Sequence, residues 1–151
     1  MPERIEVTKM KQNSNNKEYV LENVKKEGAL LEFASDRLKG DREVVYDSVS
    51  KVGWTYCYVQ ENLLEDKELL MAGLKISGQI LYFAAPDMRD DKEAVKEAVT
   101  NKPIIIKYAS NRLREDKEIG LAAMNVNKNC YEFLGPNLKK DEEILNIKNC
   151  T

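Results

Sequence analysis

The sequence predicts an all-α fold: an α-solenoid of five to six helical repeats of 25 residues, each an α-helix plus a short α- or 3₁₀-helix. Three observations carry this. An aspartate recurs at Asp41, Asp66, Asp91, Asp116 and Asp141, at an interval of 25 every time. Apolar residues follow it at helical spacing, as in Val44, Val45 and Val49. Gly28, Gly53, Gly78 and Pro103 then break the pattern, again in register. Self-similarity at a fixed period of this size marks a stacked array, in which one unit cannot bury its apolar stripe without a neighbour.

One step back from Asp41 reaches Asn16. The units are therefore 16–40, 41–65, 66–90, 91–115 and 116–140, with a partial or capping unit at 141–151 and no insertion. Positions are counted from the Asp or Asn. Position one suits a helix N-cap, because its side chain can accept a backbone N–H bond. Position three is always Glu (Glu18, Glu43, Glu68, Glu93, Glu118, Glu143), which the helix dipole favours in a first turn. Positions four, five and nine are apolar and give a lead helix of ten to twelve residues. Position eight is small in most units (Ser48, Gly73, Ala98, Ala123), so a neighbouring backbone can approach there.

After the break comes a shorter segment. An aromatic stands at position eighteen of every full unit (Phe33, Tyr58, Phe83, Tyr108, Phe133), and Leu or Met at position twenty-three. Both columns are expected in the core. Pro86 and Pro136 exclude a continuous α-helix to the unit's end, so a short helix closing in a tight or 3₁₀ turn is expected.

The stretch DKEAVKEAVTNKPIIIKYASNRLREDKE resembles the short tandem helical repeat of the family known as domain of unknown function 4116. The resemblance runs from residue 16 to about residue 145. More distantly the chain is similar to the leucine-rich repeat variant, Asn101-Lys102-Pro103 being the nearest echo. The resemblance implies an α-solenoid and a general binding role, and it brings no active site to transfer. The fifth unit departs from the pattern at Gly120 and Lys128, where weaker packing is expected.

Residues 1–15 leave the register and are polar. They are expected as a disordered or loosely docked tail, or as a cap in which Ile5 and Val7 cover the first unit's apolar edge. Residues 16–151 form the single solenoid domain. At the other end Lys148 and Asn149 make a seam position polar, as a terminal cap requires.

The chain holds no histidine, which removes the commonest general base and metal ligand, and it has no phosphate-binding glycine motif. The expectation is a protein that is not an enzyme and takes no cofactor or metal. Cys57, Cys130 and Cys150 are scattered and odd in number, which fits a reducing, cytoplasmic setting. No apolar run approaches a membrane span.

The leading function is a scaffold for a protein or peptide partner, to recruit or inhibit it, with the scaffold itself a monomer or weak homodimer. Its expected contact patch is Tyr46, Trp54 and Tyr82: aromatic residues that break the repeat, of the kind that dominate binding hot spots. The alternative is a polyanion or nucleic-acid track on the basic ladder Lys17, Arg42, Lys67, Lys92 and Lys117. Against it stands a net charge of −2, from 24 basic and 26 acidic residues, which gives no attracting field.

Overall fold

The structure, a computed structural model, describes residues 4–150. The lead helices are Lys17–Lys26, Arg42–Val49, Lys67–Leu74, Lys92–Asn101 and Lys117–Met124. Each begins at its N-cap as the sequence predicts. The Asp66 side chain accepts from the N–H of Leu69, Asp91 from Ala94, Asp116 from Ile119, and Asn16 from Tyr19.

Two lead helices reach the expected ten residues and three stop at eight, and in every unit the chain turns extended at position twelve. There Glu27, Val52, Ser77, Lys102 and Asn127 have φ between −132° and −149°. The chain then enters a six-residue 3₁₀-helix: Gly28–Phe33, Gly53–Tyr58, Gly78–Phe83, Pro103–Tyr108 and Lys128–Phe133. A last single turn closes the unit, α-helical at Asp36–Lys39, Pro86–Arg89 and Asn111–Arg114, and 3₁₀ at Glu61–Leu63 and Leu138–Lys140. Pro86 and Pro103 thus start elements, where a missing N–H costs nothing.

The 3₁₀ segment comes before the final turn rather than after it, and the apolar spacing explains why. A 3₁₀-helix has three residues per turn, so positions thirteen and sixteen, with nineteen just beyond, fall in one row. That row is buried in Gly28, Leu31 and Ala34, in Gly53, Tyr56 and Val59, and in Gly78, Leu81 and Ala84. An α-helix would turn such a spacing away from the core.

Among the described residues no backbone has positive φ, so the glycines at position thirteen are not left-handed caps. They are there for proximity. A Cβ on Gly78 would lie 2.4 Å from the Ala98 carbonyl oxygen, and one on Gly53 would lie 2.8 Å from that of Gly73. The small residue at position eight supplies the other side of this approach. Consecutive lead helices pack together as one layer and consecutive 3₁₀-helices as another, with a continuous core between them from Met10 to Ile144.

A further helix packs on each side of the five units. Residues 4–15 are not a loose tail: Ile5–Gln12 is a helix that buries Met10 against the first unit. Val7 packs on the core while Ile5 is 68% exposed, so only one of the two expected covering residues serves. Residues 1–3 of that stretch lie outside the described residues. At the far end Glu142–Asn149 buries Ile144 and leaves Lys148 and Asn149 exposed. In the fifth unit Leu138 fills the space over Gly120, where a Cβ would meet its Cδ2 at 2.4 Å. Among the described residues no helix is long and apolar enough to cross a membrane.

Candidate partner-binding face

Two surfaces offer themselves as sites: the charged rim at the lead-helix N-termini, and the outer face of the 3₁₀ layer. On the rim every ladder cation reaches into the next unit and meets both acids there. Lys17 lies 2.8 Å from Asp41 and 3.0 Å from Glu43; Arg42 lies 2.6 Å from both Asp66 and Glu68. Lys67 meets Asp91 and Glu93 at 2.8 Å each, Lys92 meets Asp116 and Glu118, and Lys117 meets Asp141 and Glu143.

Each aspartate between two units therefore does two jobs. One oxygen of Asp91 caps its own helix through Ala94 and the other accepts from Lys67. Burial pushes Asp41, Asp66, Asp91 and Asp116 up, but the cation of the preceding unit and the capping N–H groups outweigh it and hold each below the usual range. Glu118, gripped by Lys96 and then Lys92, is lowered to about 2.

Position one of the first unit is Asn16 rather than Asp, and position two of the last is Glu142 rather than Lys or Arg. The rim is thus alternating charge, already satisfied between units, and not a cationic track.

The 3₁₀ layer differs. Three residues per turn leave positions fourteen and seventeen in a row facing out. Position fourteen reads Ala29, Trp54, Gln79, Ile104, Asn129, and position seventeen reads Glu32, Cys57, Tyr82, Lys107, Glu132. Trp54 is 47% exposed and Tyr82 is 55% exposed. The position-eighteen aromatics, expected in the core, instead form a half-buried row beside them, with Phe83 at 44% exposure. Rings meet edge to face along this surface: Trp54 on Tyr58 at 5.8 Å, Tyr82 on Phe83 at 5.0 Å and Tyr82 on Tyr108 at 4.9 Å.

Of the expected patch, Trp54 and Tyr82 share this face, on neighbouring 3₁₀-helices. Tyr46 does not join them. It belongs to the lead-helix layer, where the Arg42 guanidinium sits 5.6 Å over its ring. Tyr56, a residue whose position also varies in size, is wholly buried, and its hydroxyl donates to the Leu64 carbonyl at 3.3 Å. Burial first, and the nearby Asp66 charge second, push its phenol up to about 12.

Between the third and fourth units the face is hollowed. A groove of about 320 Å³ is lined by Tyr82, Phe83, Lys102, Ile104, Lys107 and Tyr108 among others. A second hollow of about 290 Å³, holding Pro86, Arg89 and Ser110, adjoins it across Tyr108. Sequence reasoning found Tyr82 because it broke the repeat. It missed Tyr108, read as core, and Ile104, Lys102 and Lys107, of which only Lys107 stands in the row that ends in Glu32 and Glu132.

A family model described as domain of unknown function (DUF4116) matches residues 16–64, 41–89, 66–114 and 91–139. Each match begins one 25-residue unit after the last, in the register that the aspartates set. No curated protein and no solved structure matches the chain. With the four matches together spanning residues 16–139, the chain belongs to the DUF4116 family of tandem helical repeats.

Proposed function

We propose that this protein is a non-enzymatic repeat scaffold that binds a protein or peptide through its 3₁₀ face, to recruit or inhibit it. One observation carries the reading: a row of half-exposed aromatics, with Trp54 and Tyr82 projecting beside it, on a face where neighbouring units vary most. Rigid aromatic rings give large contact area at small entropic cost, which is why Trp and Tyr anchor interfaces. Three free thiols support a cytoplasmic setting. The polyanion reading draws no support from the rim, since each of its cations already faces two carboxylates.

The test is affinity capture at moderate salt with nuclease present, comparing the native chain with Trp54→Ala, Tyr82→Ala and the rim variant Lys92→Ala. A partner retained by Lys92→Ala and lost by either aromatic variant is the expected result. Loss by Lys92→Ala alone would move the site to the rim and overturn the reading.

A further inference from the structure

We infer that the groove across the third and fourth units takes a short acidic peptide segment carrying one large apolar anchor. The inference rests on the partner-binding reading above and specifies its chemistry. Three features of the groove support it.

The first is charge. Neither hollow is lined by a carboxylate, in a chain whose acids outnumber its bases. Lys102, Lys107 and Arg89 have no carboxylate within 4.0 Å among the described residues. Lys107 rests over the Tyr108 ring at 4.8 Å, a contact that leaves its ammonium free to receive an anion.

The second is an orphaned donor. The Nε–H of Arg89 is buried and has no hydrogen-bond partner. Its equivalent one unit on, Arg114, donates Nε–H to the carbonyl of Phe133, so the repeat has a partner for this group and Arg89 does not reach it. Arg89 thus lines the adjoining hollow with donor capacity that no group of the chain uses, where a ligand carboxylate would meet its guanidinium.

The third is size and lining. At about 320 Å³ the groove stands at the low end of ligand sites, about 300–1,000 Å³, which suits one anchor side chain rather than a cofactor. Its walls carry Tyr82, Phe83, Ile104 and Tyr108 with Gln79, Lys102 and Lys107 among them, and Arg89 stands in the adjoining hollow past Tyr108. An aromatic or branched aliphatic residue fits between these walls. Acidic residues before and after it then reach Lys102 and Lys107 on one side of Tyr108 and Arg89 on the other. A nucleic-acid strand fits less well: continued along the face it would meet Glu32 or Glu132, which close the same row with negative charge.

The experiment pans the full chain against a phage-displayed library of random dodecapeptides, then measures the enriched peptides and an oligo-dT strand by fluorescence anisotropy. The proteins compared are the native chain, Lys102→Glu/Lys107→Glu, Arg89→Gln and Trp54→Ala, each checked for fold by circular dichroism. Expected are peptides with Asp or Glu flanking a single Phe, Trp, Leu or Ile. Their binding should weaken by about tenfold or more in the double lysine variant. It should weaken less in Arg89→Gln and in Trp54→Ala, whose ring lies on the same face outside the groove. Neutral or basic peptides, or acidic ones indifferent to the lysine reversal, overturn the inference; if these are lost in Trp54→Ala, the partner-binding face survives without it. Enrichment of nothing, in any protein, overturns both. Oligo-dT binding abolished by the same lysine reversal, with no peptide enriched, replaces the peptide by a nucleic acid.

Discussion

The rim and the 3₁₀ face are built from the same 25-residue unit, yet they hold their side chains in opposite ways. On the rim, residue identity is nearly fixed and each ladder cation finds its partners in the next unit: Lys67 with Asp91 and Glu93, Lys92 with Asp116 and Glu118. On the 3₁₀ face identity changes at each step, from Glu32 through Cys57, Tyr82 and Lys107 to Glu132, and the side chains face outward. A position whose partner is another copy of the unit must keep its chemistry. A position with no internal partner is free to answer to something outside.

The sharpest way to test this contrast is to truncate one tyrosine of each kind. Tyr56→Ala opens a cavity where a wholly buried ring and its hydrogen bond stood, and should cost about 3–5 kcal/mol in urea unfolding. Tyr82→Ala, at an exposed site, should cost under about 1 kcal/mol while abolishing partner binding. Equal losses of stability would erase the distinction between the two faces.

Next in size is the contact between units. Gly78→Ala sets a Cβ against the Ala98 carbonyl and should cost about 1–3 kcal/mol. Gly28→Ala, whose Cβ would sit 2.9 Å from the Ser48 oxygen, should cost less. The same denaturant titration measures both.

Smaller still are single rim residues. Asp91→Ala removes a cap and should cost about 1 kcal/mol. Asp91→Asn keeps the cap, loses only the exposed pairing with Lys67, and should cost about 0.5 kcal/mol or less.

The pH dependence follows from the same groups. Asp41, Asp66, Asp91 and Asp116 are held below their ordinary value of 3.8, so the folded chain binds fewer protons than the unfolded one. Their contribution is complete above that value and drains away as pH falls below it through the lowered folded values. Thermal unfolding across this range should show a falling midpoint, with a shallower fall in Asp91→Asn. At the alkaline end Tyr56 acts the other way. Its folded value near 12 against an ordinary 10.0 means stability is lost as pH rises between the two.

Much of the fold was legible in the sequence because a strict period leaves few alternatives: Asp41 to Asp141 mark the helix starts, and the glycines mark the breaks. The position-eighteen aromatics were misplaced because recurrence alone cannot separate a buried column from a half-buried one. What decides it is the local helix type, and the clue was the spacing of three among Gly78, Leu81 and Ala84. Trp54 and Tyr82 were legible as exceptions to the repeat. Tyr46 was equally exceptional and lies in the other layer, since a departure from consensus says nothing of direction. Arg89 is legible in the sequence only as one of the recurring position-twenty-four cations, with Lys39, Arg114 and Lys139. It and Arg114 are the same residue at the same position, and only the reach to a carbonyl tells them apart.

The two jobs of each rim aspartate carry a consequence for how such chains change length. Because each ladder cation meets the same two acids of the next unit, removing an interior unit whole leaves the ion pairs in register. Excising residues 66–90 would bring Arg42 to Asp91 and Glu93, the pair that Lys67 holds now, and Gly53 to the small residue Ala98. Trp54 would then stand beside Ile104, where Gln79 stood. The joint is a standard fitting, while the outward row is rewritten by every splice, so duplication and deletion can vary what such an array grips without first having to solve how it folds.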